Sequence, residues 1–330
     1  IPLKWPEPFN GFSNIRFFNQ YQIWTITLLP LPLLIYPTLD KRLLITLKII
    51  TIGWATLLFA SGSRGAVMSI MLAMLITLFI FKQEAKPLIK LNTTILISGA
   101  LTYLILFKLI LPLLGSQVIL GWKDISNLTS SSGRIALWQF AIQYIIDNPW
   151  LGIGPMHYAY YPGPTHGHPH NSLLQWASEM GIPSTLLMLT LISSGLFSWV
   201  NKFYDLNNKN KLPVSPHLWI ALFCTICSGL IYSLVSGVIV MPLSQVMMTF
   251  ITGWMLGLYF QAYKIKKTAT LQYYLFILLA GLTLITLTYT VLPTLLPRII
   301  PYSDDSPRYI FPSTSPRFWQ IGDISYKKGG

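Results

Sequence analysis

The sequence predicts an all-α polytopic membrane protein of about eight transmembrane helices, with a long helical loop on one side. Three observations carry that prediction. Only 10% of the 330 residues are charged, where a soluble domain carries about 25%. Hydrophobic residues make up 53% of the chain, and its mean hydropathy is +0.55. Eight apolar runs follow one another, at 21–37, 43–60, 66–81, 93–113, 183–200, 217–237, 244–262 and 271–292. Each approaches the roughly 17–25 residues that span hydrocarbon as a helix.

The links between runs alternate in charge, and that sets the orientation. Residues 40–42, 82–90, 201–211 and 263–267 hold eleven Lys or Arg. The opposite links, 61–65, 114–172 and 236–242, hold only Arg64, Lys123 and Arg134. By the positive-inside rule the first set is cytoplasmic. The chain is then multi-pass, and in a bacterial cell the opposite links face the periplasm or the cell exterior. The net charge of +13 expresses topology, and no nucleic-acid partner is expected. Cys224 and Cys227 lie inside an apolar run and read as small core residues, not as a disulfide framework. Ile1 opens a loop-like segment, so further spans are expected upstream.

The organisation that follows has five parts. Residues 1–20 form a periplasmic segment, and 21–113 a four-helix membrane region. Residues 114–182 form the periplasmic loop, 183–292 a second four-helix region, and 293–330 a periplasmic tail. A loop of that length is unusual without structure of its own. The run 130–149 reads as a helix that Ser132 caps and Pro149 ends. Its expected apolar stripe is Ile135, Trp138, Ala141, Ile142 and Ile145. A second helix is expected over 171–180, closed by Gly181, with Pro183 opening the next span.

Three polar clusters fall on the outer side, where charge is costly and often functional. The hairpin G-S-R-G (62–65) carries Ser63 and Arg64. Its glycines allow positive φ and close backbone approach to a ligand. The bland alternative is an interfacial arginine that snorkels to headgroups. Arg134 opens the helix after S-S-S-G, where the helix dipole disfavours a cation. A phosphate at that helix start gives the arginine a reason to be there. The stretch T-H-G-H-P-H-N (165–171) offers His166, His168 and His170 at alternate positions, a spacing zinc sites sometimes use. Gly167 and Pro169 interrupt it, carboxylates are few and no thiol is near, so no metal and no cofactor is expected. His170 stands apart because a helix follows it. Asn171 lies beside it, and Gln175 and Glu179 lie a turn apart on that helix. An imidazole so placed can act as a general base.

The order of these elements is informative. An S-R-G hairpin is followed by a G-R helix ending in P-W-L-G-I-G-P, then by H-P-H-N-S-L-L-Q-W-A-S-E-M-G-I-P before a span. This resembles the O-antigen ligase / Wzy polymerase superfamily of bacterial membrane glycosyltransferases. N-I-R-F-F-N-Q (14–20) and V-S-G-V-I-V-M-P-L-S-Q (235–245) further resemble its PglL-type protein O-oligosaccharyltransferase branch. Ser184 departs from the Gly, Thr or Tyr with which ligases close the histidine motif.

The resemblance implies a glycan donor on undecaprenyl diphosphate and a periplasmic hydroxyl acceptor. That acceptor is Ser or Thr of a protein, a growing O-antigen, or the lipid A core of lipopolysaccharide. His170, Arg64 and Arg134 are the expected catalytic residues of a metal-independent, inverting transfer. Arg16, Ser63, Ser132, His168, Asn171, Gln175 and Glu179 are the expected substrate contacts. A lipid-linked glycan flippase is the reading from another class, although transporters place their charges near the midplane. A nonenzymatic assembly partner is a third, and it predicts that Arg64 and His170 tolerate substitution.

Overall fold

The computed structural model describes residues 4–5, 15–118, 134–155, 157–159 and 167–261, with isolated helical positions at 274, 277, 278, 281, 282 and 285. Ten α-helices fall among them: α1 Ile15–Gln22, α2 Pro32–Ile35, α3 Lys41–Ala60, α4 Arg64–Phe81, α5 Lys86–Tyr103, α6 Leu111–Leu113, α7 Arg134–Asp147, α8 Ser172–Asn207, α9 Pro216–Ser233 and α10 Pro242–Gln261. A π-helical stretch, Leu104–Ile110, joins α5 to α6. The described strands, β1 Lys4–Trp5 and β2 Gln117–Val118, form one short parallel pair.

Five helical stretches among the described residues are long and apolar enough to cross a membrane. One of them, Arg64–Leu113, is 50 residues long and folds as a pair. Lys82, at φ +49, breaks its path, and α5 returns alongside α3. There the two helices nearly touch: a Cβ on Gly99 would lie 2.5 Å from Cβ of Ala55. Helix α9 is the bundle's axis, with Trp219, Ile220, Ala221, Leu222 and Cys224 fully buried. Gly229 admits the Trp24 ring, 2.2 Å from where its Cβ would stand. Outward faces carry exposed Ile49, Phe79, Leu187, Phe197 and Phe250. A continuous apolar exterior of this kind belongs in hydrocarbon.

The bundle has two distinct ends. The basic end gathers the start of α3, the α4–α5 turn and the α8–α9 link. The site end gathers the α3–α4 hairpin, α7, the start of α8 and the α9–α10 link.

Two sequence expectations change here. The first expected span, 21–37, is not one helix. After α1 the chain makes tight turns, with Trp24 N–H donating to Tyr21 O and Thr25 N–H to Gln22 O. Pro30 and Pro32 lack the N–H that a longer helix needs. The apolar stripe of α7 is as expected only in part: Trp138, Ala141 and Ile145 are half-buried or buried. Leu137 and Ala141 are buried, while Ile135 and Ile142 are exposed. Much of the last expected span, 271–292, lies outside the described residues, as do Ser132, His166 and the tail 293–330.

Candidate functional site

Four segments of the chain meet at the site end, and residues 232–237 are their hub. Gln20 of α1 donates to Ser236 Oγ at 3.0 Å. Ser63 of the α3–α4 hairpin shares a 3.0 Å hydrogen bond with the Tyr232 hydroxyl. Ser172, which opens α8, bonds Ser233 Oγ at 2.7 Å. The His168 ring packs on Gly237, where a Cβ would come within 2.5 Å of Cε1. Helix α7 joins through Trp138, whose indole N–H donates to Pro169 O at 2.9 Å.

Each candidate arginine lies within one helical turn of these links. Arg16 is four residues before Gln20, Arg64 directly follows Ser63, and Arg134 is four residues before Trp138. Residues four apart share a helix face. All three arginines occupy the first turn of a helix, where the macrodipole opposes positive charge. They also feel one another. Burial and the nearby Arg16 lower the pKa of the half-buried Arg134; the Tyr232 phenol acts against this and Arg64 adds to it. The guanidinium stays charged at any physiological pH, so the site holds a concentrated positive field.

The hairpin is built for close approach. Gly62 has φ +66. A Cβ on Gly65 would lie 3.1 Å from Val235 and 3.4 Å from the Tyr232 ring. Ser63 is the N-cap of α4 but makes no side-chain cap bond, because its hydroxyl pairs with Tyr232.

The start of α8 differs. Asn171 Oδ1 accepts from Leu173 N–H at 3.0 Å and Leu174 N–H at 3.1 Å. Its carboxamide oxygen therefore caps the helix. His170 precedes it at φ +54, half-buried, with its ring centroid 4.1 Å from that of His168.

Gln175 and Glu179 do not share an open face. Gln175 is half-buried. Glu179 is buried beneath the turn 149–154, where Ile153 N–H donates to Ser178 O at 2.8 Å and Gly154 N–H to Glu179 O at 3.0 Å. Gly181, at φ +80, lets the Trp150 carbonyl approach to 2.2 Å from where its Cβ would be. Inside this packing the Tyr158 hydroxyl donates to Leu137 O at 2.7 Å. Burial first, then Tyr144 and Glu179, push its pKa up.

Sequence reasoning missed Tyr232. The available signal was Y-S-L-V-S-G (232–237), a polar run at the outer end of the most buried helix.

Chemically, the arrangement suits an anion with two or more charged oxygens. Guanidinium groups bind such oxygens in forked pairs, and three of them can stabilise negative charge as it develops on a leaving group.

Residues 49–189 match the family model described as O-Antigen ligase. Through that stretch the chain is similar to the O-antigen ligases. The O-antigen ligase match includes Arg64, Arg134 and His170 and leaves Arg16 and Tyr232 outside it. A candidate polysaccharide ligase of Rickettsia conorii is 30% identical over 153 residues, 42% of this chain and 35% of that protein. Another, of Rickettsia prowazekii, is 28% identical over 163 residues, 45% of this chain and 37% of that protein. The similarity thus spans about a third of each relative's length. No solved structure matches the chain.

Proposed function

We propose that the protein transfers a preassembled glycan from undecaprenyl diphosphate to a hydroxyl acceptor at the outer surface of the bacterial inner membrane. The observation that carries this reading is that Arg134, half-buried, feels Arg16, the Tyr232 phenol and Arg64, while Ser233 beside Tyr232 bonds Ser172, which follows the turn carrying His170. The Lys and Arg asymmetry of the links supports a periplasmic site.

In the reaction the acceptor oxygen attacks the anomeric carbon and the bond from that carbon to the phosphate oxygen breaks. The acceptor proton passes to His170, and undecaprenyl diphosphate leaves. Arg64 and Arg134 stabilise the charge that develops on it, with Arg16 beside them. A single displacement inverts the anomeric centre. The cationic work falls to guanidinium groups, so no divalent ion is required. The favoured acceptor is Ser or Thr of a periplasmic protein, from the likeness of 14–20 and 235–245 to the PglL-type branch.

A reconstituted assay tests both parts. Undecaprenyl-diphosphate-linked glycan is supplied with a Ser-rich periplasmic protein, with rough lipopolysaccharide, or with no acceptor but further donor. Glycosylated protein is the expected product, at an unchanged rate in EDTA. Transfer to lipopolysaccharide or to donor alone reassigns the enzyme as a ligase or a polymerase. Loss of transfer in EDTA, restored by a divalent ion, overturns the mechanism.

A further inference from the structure

We infer that His168 is a positioning residue that holds His170 in its working conformation, with Gly237 as its seat. This rests on the transfer reaction proposed above.

His170 sits at φ +54, in the left-handed region that non-glycine residues adopt uncommonly. Two contacts impose it. The His170 backbone N–H donates to His168 Nδ1 at 3.3 Å, and the two rings meet edge to face at 4.1 Å between centroids and 67°. A backbone N–H can only donate, so Nδ1 is an acceptor and the neutral His168 ring carries its proton on Nε2.

The far side of the His168 ring is fixed in turn. Its Cε1 and Nε2 would lie 2.5 and 2.8 Å from a Cβ on Gly237, so glycine alone leaves room for the ring. Trp138 holds the carbonyl of the intervening Pro169 from the opposite side. The histidine turn is thereby pinned between α7 and the α9–α10 link. The same link bears Ser236, which Gln20 reaches from α1.

Left-handed φ at His170 sets where its imidazole points. A misplacement of about 1 Å at a reacting group can cost on the order of a hundredfold in rate. On this inference His168, expected from the sequence among the substrate contacts, acts through His170.

Two conservative variants separate this role from a merely structural one. The Asn side-chain oxygen superimposes on Nδ1 of histidine, whereas the Gln side-chain terminus superimposes on Nε2. In the full-length protein, His168→Asn is expected to keep kcat within about threefold of wild type. His168→Gln is expected to lose at least about tenfold in kcat with KM within about twofold. Gly237→Ala is expected to behave as His168→Gln. Experimental structures of the two His168 variants give a readout independent of activity: φ of His170 stays positive with Asn and leaves that region with Gln. If the wild type transfers no glycan, the proposed reaction fails, and the φ comparison still decides the role of His168. Asn and Gln variants with equal kcat or equal His170 φ overturn the inference, as does Gly237→Ala with full kcat.

Discussion

Both ends of the bundle place positive charge at helix starts, but in different surroundings. At the basic end α3 carries Lys41 and Arg42 in its first turn, and two helix starts have side-chain caps. Asp40 accepts from Arg42 and Leu43 N–H to open α3, and Ser215 accepts from His217 N–H to open α9. Its lysines lie in exposed links, and the exposed Lys209 pairs with Asp205 one turn away. At the site end Ser63 makes no side-chain cap bond before Arg64, and burial first, then Arg16 and Arg64, lower the pKa of Arg134. The first arrangement is what topology and solubility require. On the proposed reading, the second suits a bound anion.

That contrast can be broken most severely at His170. His170→Ala is expected to reduce transfer by about 10²–10⁴-fold, the usual cost of a lost general base, whereas His166→Ala keeps its activity. Turnover of the purified variants on the donor measures both. Tyr232→Phe comes next. It removes the hydroxyl that ties Ser63 to α9, which costs about 1 kcal/mol of stability and loosens the hairpin bearing Arg64. Thermal denaturation and kcat together show the two effects. Asn171→Ala deletes a cap and is expected to cost about 1 kcal/mol, with His170 retained and activity lowered less than by its loss. At the basic end, Asp205→Ala breaks an exposed pair that is held only at the surface. Neither the melting temperature nor transfer is expected to change.

The sequence was legible where local chemistry decided the outcome. Arg64 could be singled out as the one charge in a glycine hairpin, and Arg134 because it opposes the dipole at a helix start. His170 could be separated from its neighbours by the helix that follows it. Contacts between distant segments were not legible. Tyr232 meets Ser63 across 169 positions, and nothing in either local pattern announces the pairing. Glu179 looked accessible because helical spacing says which residues share a face, and nothing about the turn 149–154 that covers it. On α7, apolar residues that face lipid look the same in sequence as those that face protein, so Ile135 and Ile142 were placed inward. The first span failed for a different reason: hydropathy records that 21–37 is apolar, while Pro30 and Pro32 decide that it cannot be one helix.

The central claim is that the site-end arginines, and not basic charge in general, hold the diphosphate. The direct measurement is initial transfer rate from undecaprenyl-diphosphate-linked glycan for two double variants of equal charge change. Arg64→Ala with Arg134→Ala is expected to lose at least the roughly 10²–10³-fold that removal of one charge stabiliser costs. Lys209→Ala with Lys211→Ala is expected to match wild type. Equal losses in the two, or an active arginine double variant, would contradict the account.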